Sequence, residues 1–160
     1  MTDAADTQFT TEELLSYAQG NATAFVLATI AYLKEQDLAV DDYVKFFGSK
    51  FAPGWEELRK QPLTAVARMA ALNAVSVGGT LRSLSGDEEH AEVIIEGWPD
   101  EEISSTLDLQ RGEGEAMWDS FEPIMVMEHL DILYSWDHEE QEDGAVRLTF
   151  ERGSAYSRLR

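Results

Sequence analysis

Residues 132–150 read ILYSWDHEEQEDGAVRLTF, and this stretch decides the fold class. Ile132, Tyr134, Trp136 and His138 recur at every second position, as do Val146, Leu148 and Phe150. A period of two places each set on one face of a strand. Asp143-Gly144 marks the reversal between them. A two-residue turn there pairs even positions with odd ones and sends the two sets to opposite faces, which a half-buried hairpin does not tolerate. A three-residue loop, Glu142 to Gly144, pairs position 136 with 150 and 138 with 148, keeping both sets together. It also puts Gly144 at the left-handed position of a bulged turn, where glycine is favoured. The sequence therefore predicts a C-terminal β-hairpin with Trp136 beside Phe150 on its core side.

Upstream, 115–129 reads as a helix carrying Met117, Trp118, Phe121, Ile124, Met125 and Glu128 on successive turns. Pro123 lies inside it and predicts a kink, because proline removes one backbone hydrogen bond and clashes with the preceding turn. Residues 110–114 read as a linker and 100–107 as a short helix. A strand is expected over 90–98, rich in Val93, Ile94 and Ile95 and closed by Pro99. An acidic loop, Asp87 to Glu89, precedes it.

Three helices are expected before that loop. The first spans 11–36, where Thr10 and Glu13 stand in capping-box spacing. Leu14, Ala18, Ala22, Phe25, Thr29 and Leu33 recur at steps of three or four and predict its buried face. Gly20-Asn21 interrupts it, which a close helix crossing or a local kink would explain. The second begins at Asp41 or Asp42 and carries an aromatic face of Tyr43, Phe46, Phe47 and Phe51. Pro53-Gly54 ends or bends it, and 55–60 adds a further turn or two. The third starts at Pro62 and runs through Leu63, Val66, Ala70, Ala74 and Val77. Gly78-Gly79 either loosens its end or stops it, and Ser85-Gly86 is the later stop. Its small residues (Ala67, Ala70, Ala71, Ala74, Gly78) match Ala24, Ala28 and Ala31, so the first and third helices are expected to pack together.

This order does not supply the βαβ units of a doubly wound fold. It predicts an α+β domain, with helices packed on one face of a small antiparallel sheet of at least three strands. Residues 1–9 read as a disordered lead-in, 10–152 as a single domain and 153–160 as a flexible basic tail.

Composition narrows the function. With 31 Asp and Glu against 12 Lys and Arg, the chain carries a net charge of −19. Such a surface repels phosphate backbones and anionic lipids, so nucleic acid is not an expected partner. Solubility and self-avoidance explain the charge; a basic partner, weak divalent-cation binding and a salty cytoplasm are the other readings. No cysteine is present, which removes disulfides, thiolate nucleophiles and cysteine-based metal sites. The N-terminal residues show neither a basic region nor an apolar one, and the longest apolar stretch, 22–33, is interrupted by Thr23, Thr29 and Tyr32. A cytoplasmic protein that spans no membrane is expected.

No catalytic motif stands out. The three histidines, His90, His129 and His138, lie outside any zinc-binding spacing, and the reading predicts no metal site and no cofactor. Serines are scattered without a nucleophile elbow. Gly78-Gly79-Thr80 lacks the lysine and the preceding strand of a phosphate loop. Polar groups in apolar surroundings are more informative. Asn73 sits within Ala70–Val75, while Arg68 and Arg82 flank the same helix and are candidates for carboxylate pairing or for holding an anion. Trp98, Trp118 and Trp136 come from three different elements, as core packing or as the walls of an aromatic pocket between helices and sheet. Glu122, beside Pro123, is either exposed or lines the same cavity.

The order of elements over 24–150 resembles the 4-vinyl-reductase domain and its relatives in trafficking-particle subunits. That resemblance implies a small α+β module holding an apolar or small ligand between helices and an antiparallel sheet. The stretch MWDSFEPI, residues 117–124, followed by the Trp136 hairpin, also resembles a segment of small uncharacterised bacterial proteins. The leading expectation is a small-molecule-binding or sensor-like module without catalysis. Its candidate site is Asn73, Arg82, Trp98, Trp118 and Glu122, and its ligand is small and apolar or aromatic. A hydrolase using Glu122 or His129 is the first alternative. The second is a structural or oligomerising protein with a second copy as partner, which an exposed aromatic face at Tyr43, Phe47 and Phe51 would favour.

Overall fold

The computed structural model describes residues 9–125, 130–139 and 144–153. The expected lead-in (apart from Phe9), the tail beyond Gly153, Glu128 and His129 lie outside the described residues. The chain is α+β, with helices packed against a four-stranded antiparallel sheet.

The first helix, α1 (Thr11–Glu35), starts where the capping box predicts. The Thr10 side chain accepts from the Glu13 amide, and the Glu13 carboxylate accepts from the Thr10 amide at 2.7 Å. It runs unbroken through Gly20-Asn21, and the space beside Gly20 is open, so no crossing among the described residues explains that glycine. The buried face is Thr23, Leu27, Ile30 and Ala31, not the one expected; Leu14 and Phe25 are exposed. Apolar residues surround the middle of this helix, so periodicity admits two faces and packing chose between them.

The second helix, α2 (Val40–Phe51), starts slightly before Asp41, and continues into a 3-10 segment, Ala52–Leu58. Val44 and Gly48 are its buried positions, while Phe46 and Phe51 are exposed. The third helix, α3 (Leu63–Ser76), packs its buried Ala67, Ala70, Ala71 and Ala74 on the sheet rather than along α1. The two helices meet where Gln19 Nε2 donates to the Val75 carbonyl at 2.9 Å and the Thr23 hydroxyl hydrogen-bonds the Val77 carbonyl. Gly78, at φ 101°, turns the chain there; a Cβ on it would stand 2.7 Å from Thr23 Oγ1.

After this turn the chain forms a strand, β1 (Thr80–Gly86), where the sequence pattern predicts at most a continued helix. Its side chains are largely exposed, so it lacks the apolar alternation that marks a half-buried strand. It pairs with β2 (His90–Glu96), whose Ala91, Val93 and Ile95 are buried. The short helix α4 (Glu101–Thr106) is capped by the Asp100 carboxylate. The expected linker is instead α5 (Arg111–Glu115), opened by Gln110, whose amide donates to the Glu113 carboxylate at 2.7 Å.

The helix expected over 115–129 is corrected in its first half: a 3-10 segment, Ala116–Phe121, leads into α6 (Glu122–Met125), and 126–129 lie outside the described residues. Pro123 sits in the first turn of α6, where a missing N–H costs no intrahelical bond, so it marks a start rather than a kink.

The hairpin comprises β3 (Ile132–His138) and β4 (Ala145–Arg152), and the sheet order is β1-β2-β4-β3. Both apolar sets do share a face. The register, however, pairs Trp136 with Leu148, His138 with Val146 and Tyr134 with Phe150, two residues from that of a three-residue loop. A slip of two leaves every side chain on its own face, so the apolar pattern has no power to exclude it. Gly144 keeps the expected left-handed conformation, at φ 87°.

Candidate functional site

A cavity of about 150 Å³ lies between α2, the end of α3 and the 3-10 segment before α6. Trp55, Trp98, Trp118, Phe121 and Ile124 form its buried walls. Asn73, Ser76 and Phe51, all exposed, line it where it meets solvent.

Each wall has a local cause. Trp98 follows Gly97, at φ 76°, which turns the chain off the end of β2. Its ring meets that of Trp118 edge to face, with centroids 6.5 Å apart at 74°. The 3-10 segment carrying Trp118 is tied to the hairpin at two points. The Tyr134 hydroxyl donates to the Trp118 carbonyl at 3.0 Å, and Trp136 Nε1 donates to Asp119 Oδ1 at 2.7 Å. Burial, and secondarily the Asp119 charge, hold the Tyr134 phenol well above its ordinary pKa, so it stays a neutral donor. On the opposite side α2 comes close because Gly48 has no side chain: a Cβ there would stand 2.0 Å from the Ser120 carbonyl oxygen.

One polar group in this apolar setting lacks a partner. The indole N–H of Trp118 is buried without a hydrogen bond among the described residues. Leaving such a donor unsatisfied costs about 1–3 kcal/mol.

The structure brings three of the five predicted site residues together at this cavity: Asn73, Trp98 and Trp118. The Asn73 amide donates back to the Met69 carbonyl of its own helix at 2.8 Å. Arg82 lies on the edge strand β1, its guanidinium paired with Glu96. Glu122 is exposed at the start of α6 and is not among the cavity's lining residues. Trp136 bonds Asp119 instead of lining the cavity. Sequence reasoning missed Gly48 and Trp55. Glycine at a helix position spaced for burial was the available signal for the first.

It also missed a buried carboxylate. Glu115 is 3% exposed and is held by Arg111 Nε at 2.6 Å and His138 Nε2 at 3.0 Å. The i,i+4 spacing of Arg111 and Glu115 was legible; the pairing with His138 was not. Among the described residues no group of three or more His, Asp or Glu side chains is placed to hold a metal ion. No family model, curated protein or solved structure matches the chain.

Proposed function

We propose that the chain is a binding module for a small, single-ring aromatic or compact apolar molecule bearing one hydrogen-bond acceptor. The observation that carries this reading is an apolar cavity of about 150 Å³ walled by Trp118, whose buried indole N–H has no partner among the described residues. An apolar cavity of that size accommodates a benzene-sized ring. Indole nitrogen donates and does not accept, so the complementary ligand atom is a carbonyl, ether or hydroxyl oxygen. Trp98 and Phe121 supply ring edges and faces, and Asn73 and Ser76 sit where a polar substituent would leave the cavity. Nothing in this arrangement requires catalysis.

The test is thermal shift and calorimetry with matched ring compounds, with and without an acceptor oxygen (toluene against anisole or benzaldehyde). The acceptor-bearing member is expected to bind about tenfold more tightly, a difference of roughly 1.4 kcal/mol. Trp118→Phe keeps the apolar wall and should abolish the preference. Absence of binding by either class would remove the proposal.

A further inference from the structure

Residues 14–33 read LLSYAQGNATAFVLATIAYL, 20 positions without a charged side chain in a chain of net charge −19. They form most of α1, yet much of that helix faces solvent. Leu14, Ala18, Asn21, Phe25, Ala28 and Tyr32 are all exposed, Phe25 to 76%. Their spacing alternates four and three, the heptad seam of a helix pair. Thr23 and Ile30, buried in the core, lie on the opposite side of the same helix. Neighbouring helices thus already hold one face of α1 and reach round to bury Ala31 beside Tyr32, and among the described residues the rest of a second uncharged face is left over.

We infer that this face is an interface with a second copy of the chain, formed by two α1 helices packed antiparallel about a two-fold axis. Charge selects the occupant. Two copies of so acidic a molecule repel over most of their surface, and this face allows close approach without placing carboxylate against carboxylate. Geometry makes the face self-complementary, as an isologous contact requires. With the axis at the middle of the seam, Leu14 meets the partner's Tyr32, Ala18 meets the partner's Ala28 and Asn21 meets the partner's Phe25. Charge also selects the direction. Glu35, the next seam position, would face its own copy in a parallel pair. In the antiparallel pair it reaches the N-terminal end of the other helix, where the dipole favours a carboxylate; of the two glutamates at that end, Glu13 is turned back onto Thr10 and Glu12 lies on the side of the helix away from the seam. Area suffices as well. Tyr17 and Leu15 flank the seam and, with its large members, leave on the order of 500 Å² exposed per copy. The pair then buries about 1,000 Å², the size from which specific interfaces begin. This inference does not depend on the cavity or its ligand.

Sedimentation velocity and light scattering on the full chain test it. The expected mass is twice 17.9 kDa, with association tightening as salt screens the remaining repulsion. Phe25→Glu should return the protein to single-chain mass with an unchanged far-UV circular dichroism spectrum. The chain has no cysteine, so engineered thiols report the direction. An oxidised mixture of Leu14→Cys and Tyr32→Cys should give the cross-linked pair, and neither variant alone should. Single-chain mass at the highest soluble concentration would overturn the inference. So would a dimer that survives Phe25→Glu, a disulfide formed by Leu14→Cys alone, or a single chain that instead floats with phosphatidylcholine vesicles.

Discussion

The Tyr134 hydroxyl donates to the Trp118 carbonyl, a 3.0 Å bond that joins the hairpin to one wall of the cavity. Replacing Tyr134 with Phe removes the donor and leaves that carbonyl short of its partner. The expected cost is about 1–2 kcal/mol in urea unfolding at neutral pH.

The same residue predicts a pH dependence. Burial and the Asp119 charge raise the Tyr134 pKa in the folded protein, whereas the phenol of the unfolded chain ionises near its ordinary value. Above about pH 10 the unfolded state therefore binds fewer protons than the native one, and stability falls as pH rises toward the folded pKa. Below that point the contribution is fully present. Between about pH 9 and about pH 11 the wild type should lose stability more steeply than Tyr134→Phe, by up to ~1.4 kcal/mol per pH unit. Parallel curves for the two proteins would refute the burial argument.

Gly48 and Gly20 should respond oppositely to alanine. A Cβ at Gly48 meets the Ser120 carbonyl oxygen at 2.0 Å, so α2 and the 3-10 segment must separate. Gly48→Ala is expected to cost about 2–3 kcal/mol, since overpacking forces backbone shifts. Gly20 has nothing within 4 Å and lies within a regular helix. Gly20→Ala should stabilise by about 0.5–1 kcal/mol. Thermal and urea denaturation of the two variants decide it.

Glu115 is buried, while its partners are not: the Arg111 and His138 side chains are 37% and 64% exposed. Removing the histidine exposes a carboxylate that still holds Arg111. Removing the carboxylate opens a gap in the packing. Glu115→Ala should therefore cost more than His138→Ala, about 2 kcal/mol against less than about 1 kcal/mol. Equal losses would mean that the histidine, not the burial, carries the interaction.

At Gly78 two effects combine: a φ of 101° and a Cβ that would stand 2.7 Å from Thr23 Oγ1. Gly78→Ala should destabilise by about 1–3 kcal/mol. Adding Thr23→Ala relieves the contact but not the backbone strain, so only part of the loss should return in a double-mutant comparison.

Much of the candidate site was legible. Asn73, Trp98 and Trp118 are chemically conspicuous residues in apolar or turn contexts, and the fold does bring them together. Arg82 and Glu122 were equally conspicuous, yet nothing local distinguishes a charge beside a pocket from one on a rim. Gly48 carries no side chain for a pattern to detect, although its absence of one lets the cavity wall form.

The sequence by itself determined the capping box at Thr10, the parity of the hairpin and the α+β class, because each rests on spacing within one segment. Only the tertiary structure decided three further matters. It set the hairpin register, since a slip of two preserves every face. It made a strand of Thr80–Gly86, whose exposed side chains leave no alternation to read; pairing with β2 defines it. It also chose which face of α1 to bury, because that helix offers two apolar faces and one core. Local periodicity fixes what a segment can bury; the neighbours that arrive from elsewhere in the chain fix what it does bury.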